Sequence, residues 1–140
     1  LVFDDEIRLK KAIVLITDGV DNTSTLGTDQ AIAAARRVAV PIYTIGFSAL
    51  PEYVLGKDET AYNVEVLRRF SDETGGKLFV VYDPDELKEA VIEIENELRY
   101  QYVLGYYPER ASDGAFRAIT VETRSPRHVI RSRRGYYAEP

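Results

Sequence analysis

Three short apolar runs, separated from one another by helical patterns, constrain the fold more than any other feature of this sequence. The runs are AIVLIT at 12–17, IYTIGF at 42–47 and KLFVVY at 77–82. The first run does not alternate apolar with polar residues, which predicts a strand buried on both faces. Strands that alternate with helices through short connections form a parallel sheet with right-handed crossovers. We therefore predict an α/β fold with a doubly wound parallel sheet.

The helices are predicted from their capping and stop residues. The first has Thr28 as its expected N-cap and ends before Pro41. The second is predicted to begin at Asn63 and to stop at a pair of glycines. The third follows the sequence DPDE, in which Asp83 is the expected N-cap and Glu86 completes an Asp version of the capping box.

The last forty residues depart from this pattern. They contain three strand-like segments, YQYVLGYY at 100–107, AFRAITVETR at 115–124 and HVIRSRRGYY at 128–137, which predict a three-stranded antiparallel meander. Charge also separates the two parts, since residues 1–100 carry 19 acidic and 11 basic side chains and residues 101–140 carry 4 and 7. We predict an α/β domain over 1–100 and a β extension over 101–140.

Composition excludes several classes of function. The chain has no Cys, so it has no disulfide, thiol nucleophile or thiolate metal site. No apolar run approaches the ~18 residues of a membrane span, so we expect no membrane insertion. Neither a phosphate-binding loop nor a dinucleotide-binding motif is present, and His128 is the single histidine. We assign no catalytic residue. The lack of Met predicts that the chain is a piece of a longer protein.

Asp18 is the most informative candidate site residue. It follows the first apolar run directly and precedes Gly19. Ligands of doubly wound sheets gather outside the carboxyl ends of the strands, where Asp18 is expected to lie. The alternative is that Asp18 only turns the chain through a local side-chain hydrogen bond within DGVDN.

The order of AIVLITDGVDN, an Ala-rich helix, IYTIGF and LRRFSDETGGKLFVVYD resembles the second half of a von Willebrand factor A domain. The resemblance covers about residues 1–100, and the ending RRGYYA is similar to the C-terminal extension of a bacterial subfamily. It implies a Rossmann-like fold and an adhesion-type protein-binding module of bacterial, extracytoplasmic proteins. By this match, Asp18 is the residue of the metal-ion-dependent adhesion site that contacts Mg²⁺ or Mn²⁺ directly or through water.

The sequence departs from the family pattern in its metal ligands. The family's D-x-S-x-S motif and its ligand Thr would both lie before Leu1. Asp83 is expected two strands away from Asp18, about 10 Å at about 4.8 Å per strand, and caps a helix. The letters at 21–25, DNTST, match D-x-[ST]-x-[ST], but they follow the TDG sequence and do not end a strand of their own. We expect the adhesion site to be incomplete and this chain alone to hold divalent metal weakly or not at all.

The resemblance also implies a partner protein that presents Asp or Glu. The candidate partner contacts lie on the loops after the first two strands: Asn22, Thr23, Ser24 and Ser48. An Mg²⁺-dependent phosphoryl-transfer or hydrolytic enzyme on the same sheet, and a scaffold without metal, remain alternatives. Because strand 12–17 lacks the family's neighbouring strand here, we expect an apolar edge that favours self-association.

The Arg- and Tyr-rich tail raises the possibility of nucleic-acid binding. With a net charge of −5 for the chain, we expect no nucleic acid. We expect instead that tail arginines lie over tyrosine rings and pair with Glu109, Glu122 and Glu139.

Overall fold

The computed structural model describes residues 11–17, 27–47, 57–109, 112–125 and 127–138. In chain order these residues form β1 (Ile13–Thr17), α1 (Thr28–Val38), β2 (Ile42–Phe47), α2 (Lys57–Thr74), β3 (Leu78–Val81), α3 (Pro84–Tyr100), β4 (Phe116–Ala118) and β5 (Gly135–Tyr137). The alternation of strand and helix continues through α3, as the sequence predicts.

The three apolar runs form one parallel sheet in the order β1-β2-β3. Ile13 pairs with Ile42 at one end of the β1–β2 ladder, and Thr17 pairs with Gly46 at the other. Phe47 pairs with Val81 at the end of the β2–β3 ladder. The predicted parallel sheet is therefore confirmed.

Helices cover both faces of this sheet. On one face, Tyr43, Ile45 and Val81 pack with Ala90 and Ile94 of α3 in the main core cluster. On the other face, Thr44 contacts α2, and α2 packs in turn against α1. Because alternate residues of a strand point to opposite faces, β2 supplies side chains to both layers. Ile45 is completely buried, which is worth about 1.5–3 kcal/mol relative to an exposed side chain.

The predicted cap of α3 is confirmed. The Asp83 carboxylate accepts a hydrogen bond from the Glu86 amide at 2.9 Å, and Pro84 stands in the first helical turn. The Glu86 side chain accepts from the amide of Tyr82 at 2.7 Å, one residue earlier than the capping box requires.

Two other predicted helix starts are wrong. The N-cap of α1 is Gly27, and Thr28 is already the first helical residue. The Gly27 amide donates to the Gln30 side chain at 3.3 Å, which supports the helix start at this position. α2 begins at Lys57, six residues before Asn63. The end of α2 is as predicted, since Gly75 follows it with a φ of +84° that favours glycine.

β1 is not buried on both faces within this chain, contrary to the prediction from its composition. Its residues Ile13 to Ile16 are 37% to 56% exposed, and β1 is an outer strand of the described sheet. The expected apolar edge is therefore present in the described residues.

The tail does not form the predicted three-stranded meander. β4 and β5 make a two-stranded antiparallel sheet in which Arg117 pairs with Tyr136. Residues 101–108 have no regular secondary structure, because helix α3 continues to Tyr100 and the chain then runs over the surface. Within the described residues, no helix combines the length and apolar character that a bilayer crossing needs.

Candidate functional site

The carboxyl ends of β1, β2 and β3 lie at the same edge of the parallel sheet. β1 ends at Thr17, beside Gly46, and β2 ends at Phe47, beside Val81. We call this edge the carboxyl edge. Chain segments that follow these strands must therefore start within one to two strand spacings of one another, about 5–10 Å.

All five predicted site residues lie outside the described residues. They are Asp18, Asn22, Thr23, Ser24 and Ser48. In the sequence, Asp18 comes directly after Thr17 of β1, and Ser48 directly after Phe47 of β2. The structure describes the two strands that lead into these residues, and their predicted roles stay predictions.

Asp83 caps helix α3. It is the one acidic residue at the carboxyl edge that was considered as a second metal ligand. Its carboxylate accepts from the Glu86 amide, and β2 separates its strand, β3, from β1. In the described ranges, no group of three or more His, Cys, Asp or Glu side chains is placed to hold a metal ion. These residues do not fit a metal site on their own, so we derive no chemistry through a metal.

A buried hydroxyl network, which the sequence analysis did not identify, fixes α2 on β2. Thr44 Oγ1 lies 2.8 Å from Ser71 Oγ and donates to the Leu67 carbonyl oxygen at 3.2 Å. Thr74 Oγ1 accepts from the Ile42 amide at 2.9 Å. The available signal was a Thr inside the apolar run IYTIGF together with Ser and Thr three apart on the facing helix. Because all these hydroxyls are buried and paired, the network positions α2 and has no free group for chemistry.

The tail covers the opposite edge of the sheet, where the strands begin. The guanidinium of Arg36 lies 5.5 Å from the centre of the Phe116 ring, and that of Arg37 lies 5.1 Å from the centre of the Tyr137 ring. Both arginines are in the last turn of α1. The hairpin therefore packs on the helix ends away from the carboxyl edge.

Glu73, in the last turn of α2, holds this arrangement together. Arg36 donates to its carboxylate at 3.0 Å, and Arg134 of the tail lies 3.8 Å from it. The hydrogen bond from Arg36, together with the positive charges of Arg36, Arg134 and Arg69, lowers the pKa of Glu73 below its ordinary value. A charged Glu73 is thus favoured by the folded state.

A second link joins β2, α3 and the tail. Tyr43 is 3% exposed, and its burial, followed by the charge of Glu97 and a hydrogen bond with it, raises its pKa to about 12. Arg131 of the tail forms an ion pair with the same Glu97. This link keeps Tyr43 protonated and neutral in the folded protein.

The expected pairing of tail arginines is partly wrong. Arg133 lies over the Tyr136 ring at 5.5 Å, and Arg37 of α1 lies over Tyr137. The observed carboxylate partners, however, are Asp113 for Arg117, Glu97 for Arg131, and Asp72 and Glu73 for Arg134. They replace Glu109 and Glu122, while Glu139 lies outside the described residues.

The family model of the von Willebrand factor type A domain matches residues 4–93. This chain belongs to the von Willebrand factor type A domain family. An uncharacterized protein of Borreliella burgdorferi is 31% identical over 94 residues, which cover 59% of this chain and 28% of that protein. A crystal structure of an uncharacterized membrane spanning protein from Vibrio fischeri is 23% identical, with a TM-score of 0.48, and the match covers 62% of this chain and 46% of the other.

Membership of the von Willebrand factor type A family sets the general class of function. Such domains are typically interaction modules and not enzymes. The chain spans about a quarter of the length of its Borreliella burgdorferi relative, so the family describes this domain and not the activity of a larger protein.

Proposed function

We propose that this chain is a protein-binding, adhesion-type module that contacts its partner at the carboxyl edge of the β1-β2-β3 sheet. The observation that carries this proposal is the placement of the tail. The β4–β5 hairpin packs on the last turn of α1, and Arg134, directly before β5, contacts Glu73 in the last turn of α2, at the edge where the strands begin. The hairpin thus leaves the carboxyl edge for recognition, at the position where doubly wound sheets bind their ligands.

The loops that follow β1 and β2 supply the partner contacts in this proposal. They carry the predicted contacts Asn22, Thr23, Ser24 and Ser48. Asp18 contributes one carboxylate to an adhesion site for Mg²⁺ or Mn²⁺, and the further ligands come from a polypeptide outside this sequence. The partner then presents an Asp or Glu side chain. Without those further ligands, one carboxylate is a poor site for a hard cation that prefers about six oxygen ligands.

A peptide selection tests the recognition surface. The full protein, which supplies the further ligands, is immobilised in buffer that contains Mg²⁺, and a random displayed peptide library is selected on it. We expect enriched peptides rich in Asp and Glu that bind the Ser48→Trp variant at least about tenfold more weakly, because the new ring covers the carboxyl edge. The matched control is Glu89→Trp on an exposed position of α3. Peptides that bind Ser48→Trp as tightly as the unchanged chain, or a library without enrichment, contradict the proposal.

We further propose that β1 supports self-association. Its segment Ile13–Thr17 has no charged residue, its outer edge is unpaired in the described sheet, and its apolar side chains are exposed. Exposed apolar edge strands promote pairing with another chain. Light scattering is expected to give a dimer or larger species that Ile16→Lys converts to monomer, with Val91→Lys on α3 as the control. A monomer for the unchanged chain contradicts this proposal.

The resemblance and the family membership also support a proposal about the compartment and the domain boundaries. We propose a bacterial, extracytoplasmic protein in which residues 1–100 are the second half of the family domain and residues 101–140 are its β extension. Fractionation of bacterial cells that express the full protein tests the compartment, and recovery in the cytoplasm contradicts it.

A further inference from the structure

The tail carries a surface that neither the carboxyl edge nor the packing of the domain uses. It consists of the segment Tyr102–Tyr107 and the outer face of the β4–β5 hairpin, and we call it the tail surface. Tyr102 is 90% exposed and Tyr107 is 88% exposed. Val103 and Leu104 between them are also exposed, so the segment presents both of its sides to solvent.

The backbone of this segment is available for pairing. Residues 102–107 belong to no helix or strand, and none of the backbone hydrogen bonds found between described residues involves them. The composition of YVLGYY is strongly strand-forming and uncharged. The adjacent hairpin has only two strands of three residues each, fewer than a sheet needs for independent stability. The segment and the hairpin together therefore suit an added strand.

One aromatic contact ties the segment to the hairpin. The rings of Tyr106 and Tyr136 lie edge to face with centres 6.2 Å apart. Tyr136 pairs with Arg117 across the ladder, on the side of the hairpin opposite to Phe116 and Tyr137. The segment thus borders the outer face of the hairpin.

The charge of the tail surface indicates its partner. The guanidinium of Arg133 lies over the Tyr136 ring at 5.5 Å. Within the described part of the chain, Arg133 has no carboxylate within 4 Å. Arginine over an aromatic ring keeps its N–H groups free for a carboxylate. A strand with acidic side chains therefore matches this surface in charge.

We propose that the tail surface binds an extended acidic segment of a partner protein by strand addition, with Arg133 contacting a partner carboxylate and Tyr102–Tyr107 contacting its apolar side chains. A nucleic acid fits less well. Each nucleotide carries a negative phosphate, which is repelled by residues 1–100 with their 19 acidic and 11 basic side chains. A nucleic acid also has no aliphatic side chains to pack against Val103 and Leu104. This proposal is independent of the carboxyl edge and of any metal.

Fluorescence anisotropy on the 140-residue chain tests the proposal with three labelled peptides. The probe is EVTVEVTVE, the charge control is KVTVKVTVK, and the strand control is EVTPEVPVE, in which proline removes backbone donors. We expect the probe to bind with a Kd of about 0.1–1 mM, as weak strand addition does, and each control to bind at least about tenfold more weakly. No binding of the probe, or equal binding of either control, overturns the proposal.

Two variants locate the binding. Arg133→Gln is expected to lower the affinity for the probe about threefold, because one exposed charge contact is lost. The control variant Arg68→Gln on α2 should leave this affinity unchanged. Tyr107→Ser removes an apolar contact with the probe and should also weaken its binding. Because position 107 is 88% exposed, the substitution leaves the fold intact, which circular dichroism checks. Equal affinities of all variants overturn the assignment of this surface. Displacement of the probe by a single-stranded oligo(dT) at equal concentration also overturns it, in favour of nucleic acid.

Discussion

Arg36 and Glu73 lie 37 residues apart in the sequence and form a 3.0 Å ion pair between the last turns of α1 and α2. Arg36 also contacts Phe116 of the tail, and Glu73 also faces Arg134. This pair therefore holds the two helices and the tail together at one end of the sheet. Its ionisation gives a prediction about stability and pH.

Glu73→Gln is expected to lower the free energy of unfolding by about 1–3 kcal/mol at pH 7, because it removes a charge-assisted hydrogen bond. The pKa of Glu73 is lowered in the folded state, so its stabilisation is present above the ordinary glutamate pKa and is lost as pH falls through the folded value. The difference between the two proteins in urea denaturation must then shrink toward acid pH. Glu65→Gln, at an exposed pair with a 3.7 Å separation, is the control. A difference that is constant with pH contradicts this role.

Gly135→Ala is expected to loosen the hairpin. An added Cβ at this position would lie 2.4 Å from the Arg117 carbonyl oxygen and 2.4 Å from Phe116 Cζ. We expect a loss of about 1–3 kcal/mol and faster proteolysis of the tail, as overpacking usually causes. Gly105→Ala is the matched control, since nothing lies within 4 Å of its added Cβ. Equal protease resistance of the two variants would refute the close packing at Gly135.

Asp83→Ala removes the cap of α3. We expect a loss of about 1 kcal/mol in thermal or urea denaturation, because the Glu86 amide loses its acceptor. Asp83→Asn keeps an oxygen that caps almost as well, so it should retain most of the stability. If Asn and Ala cost the same, the capping hydrogen bond is not the cause.

Tyr43→Phe is expected to change how the free energy of unfolding falls at alkaline pH. The pKa of Tyr43 is raised to about 12 by burial and by Glu97. A raised folded pKa means that stability is fully present below the ordinary tyrosine pKa of about 10 and is lost as pH rises toward about 12. The variant should lose less stability over this range than the unchanged chain. Tyr107→Phe, at an exposed position, is the control for the other tyrosines, and identical alkaline curves for both variants would contradict the prediction.

The sequence predicts features of the fold that depend on neighbouring residues. The cap at Asp83 and the stop at Gly75 follow from local geometry, and both are confirmed. The predicted start at Asn63 is wrong, because α2 already begins at Lys57 and Asn63 lies within it. The strand expected from Tyr100 onward is wrong, because α3 ends only at Tyr100 and residues 101–108 find no pairing partner.

Contacts between residues that are distant in the sequence cannot be predicted from local sequence patterns. A sequence pattern identifies arginines and tyrosines in the tail, but the choice of Glu97 and Glu73 as partners depends on how α2 and α3 present them. Likewise, the run at 12–17 predicts burial from composition, and its exposure follows from its outer place in the sheet. The site itself was predicted at Asp18 and Ser48, which lie outside the described residues.

In the proposed function, Asp18 is one part of an adhesion site whose other ligands lie outside this sequence. Calorimetric titration of the 140-residue chain with Mn²⁺ is the decisive test of this role. We predict an affinity no tighter than about 1 mM and the same weak heats for Asp18→Asn, because one carboxylate holds a divalent ion poorly. Micromolar affinity that disappears in Asp18→Asn would contradict the claim and mean that this chain completes the site alone.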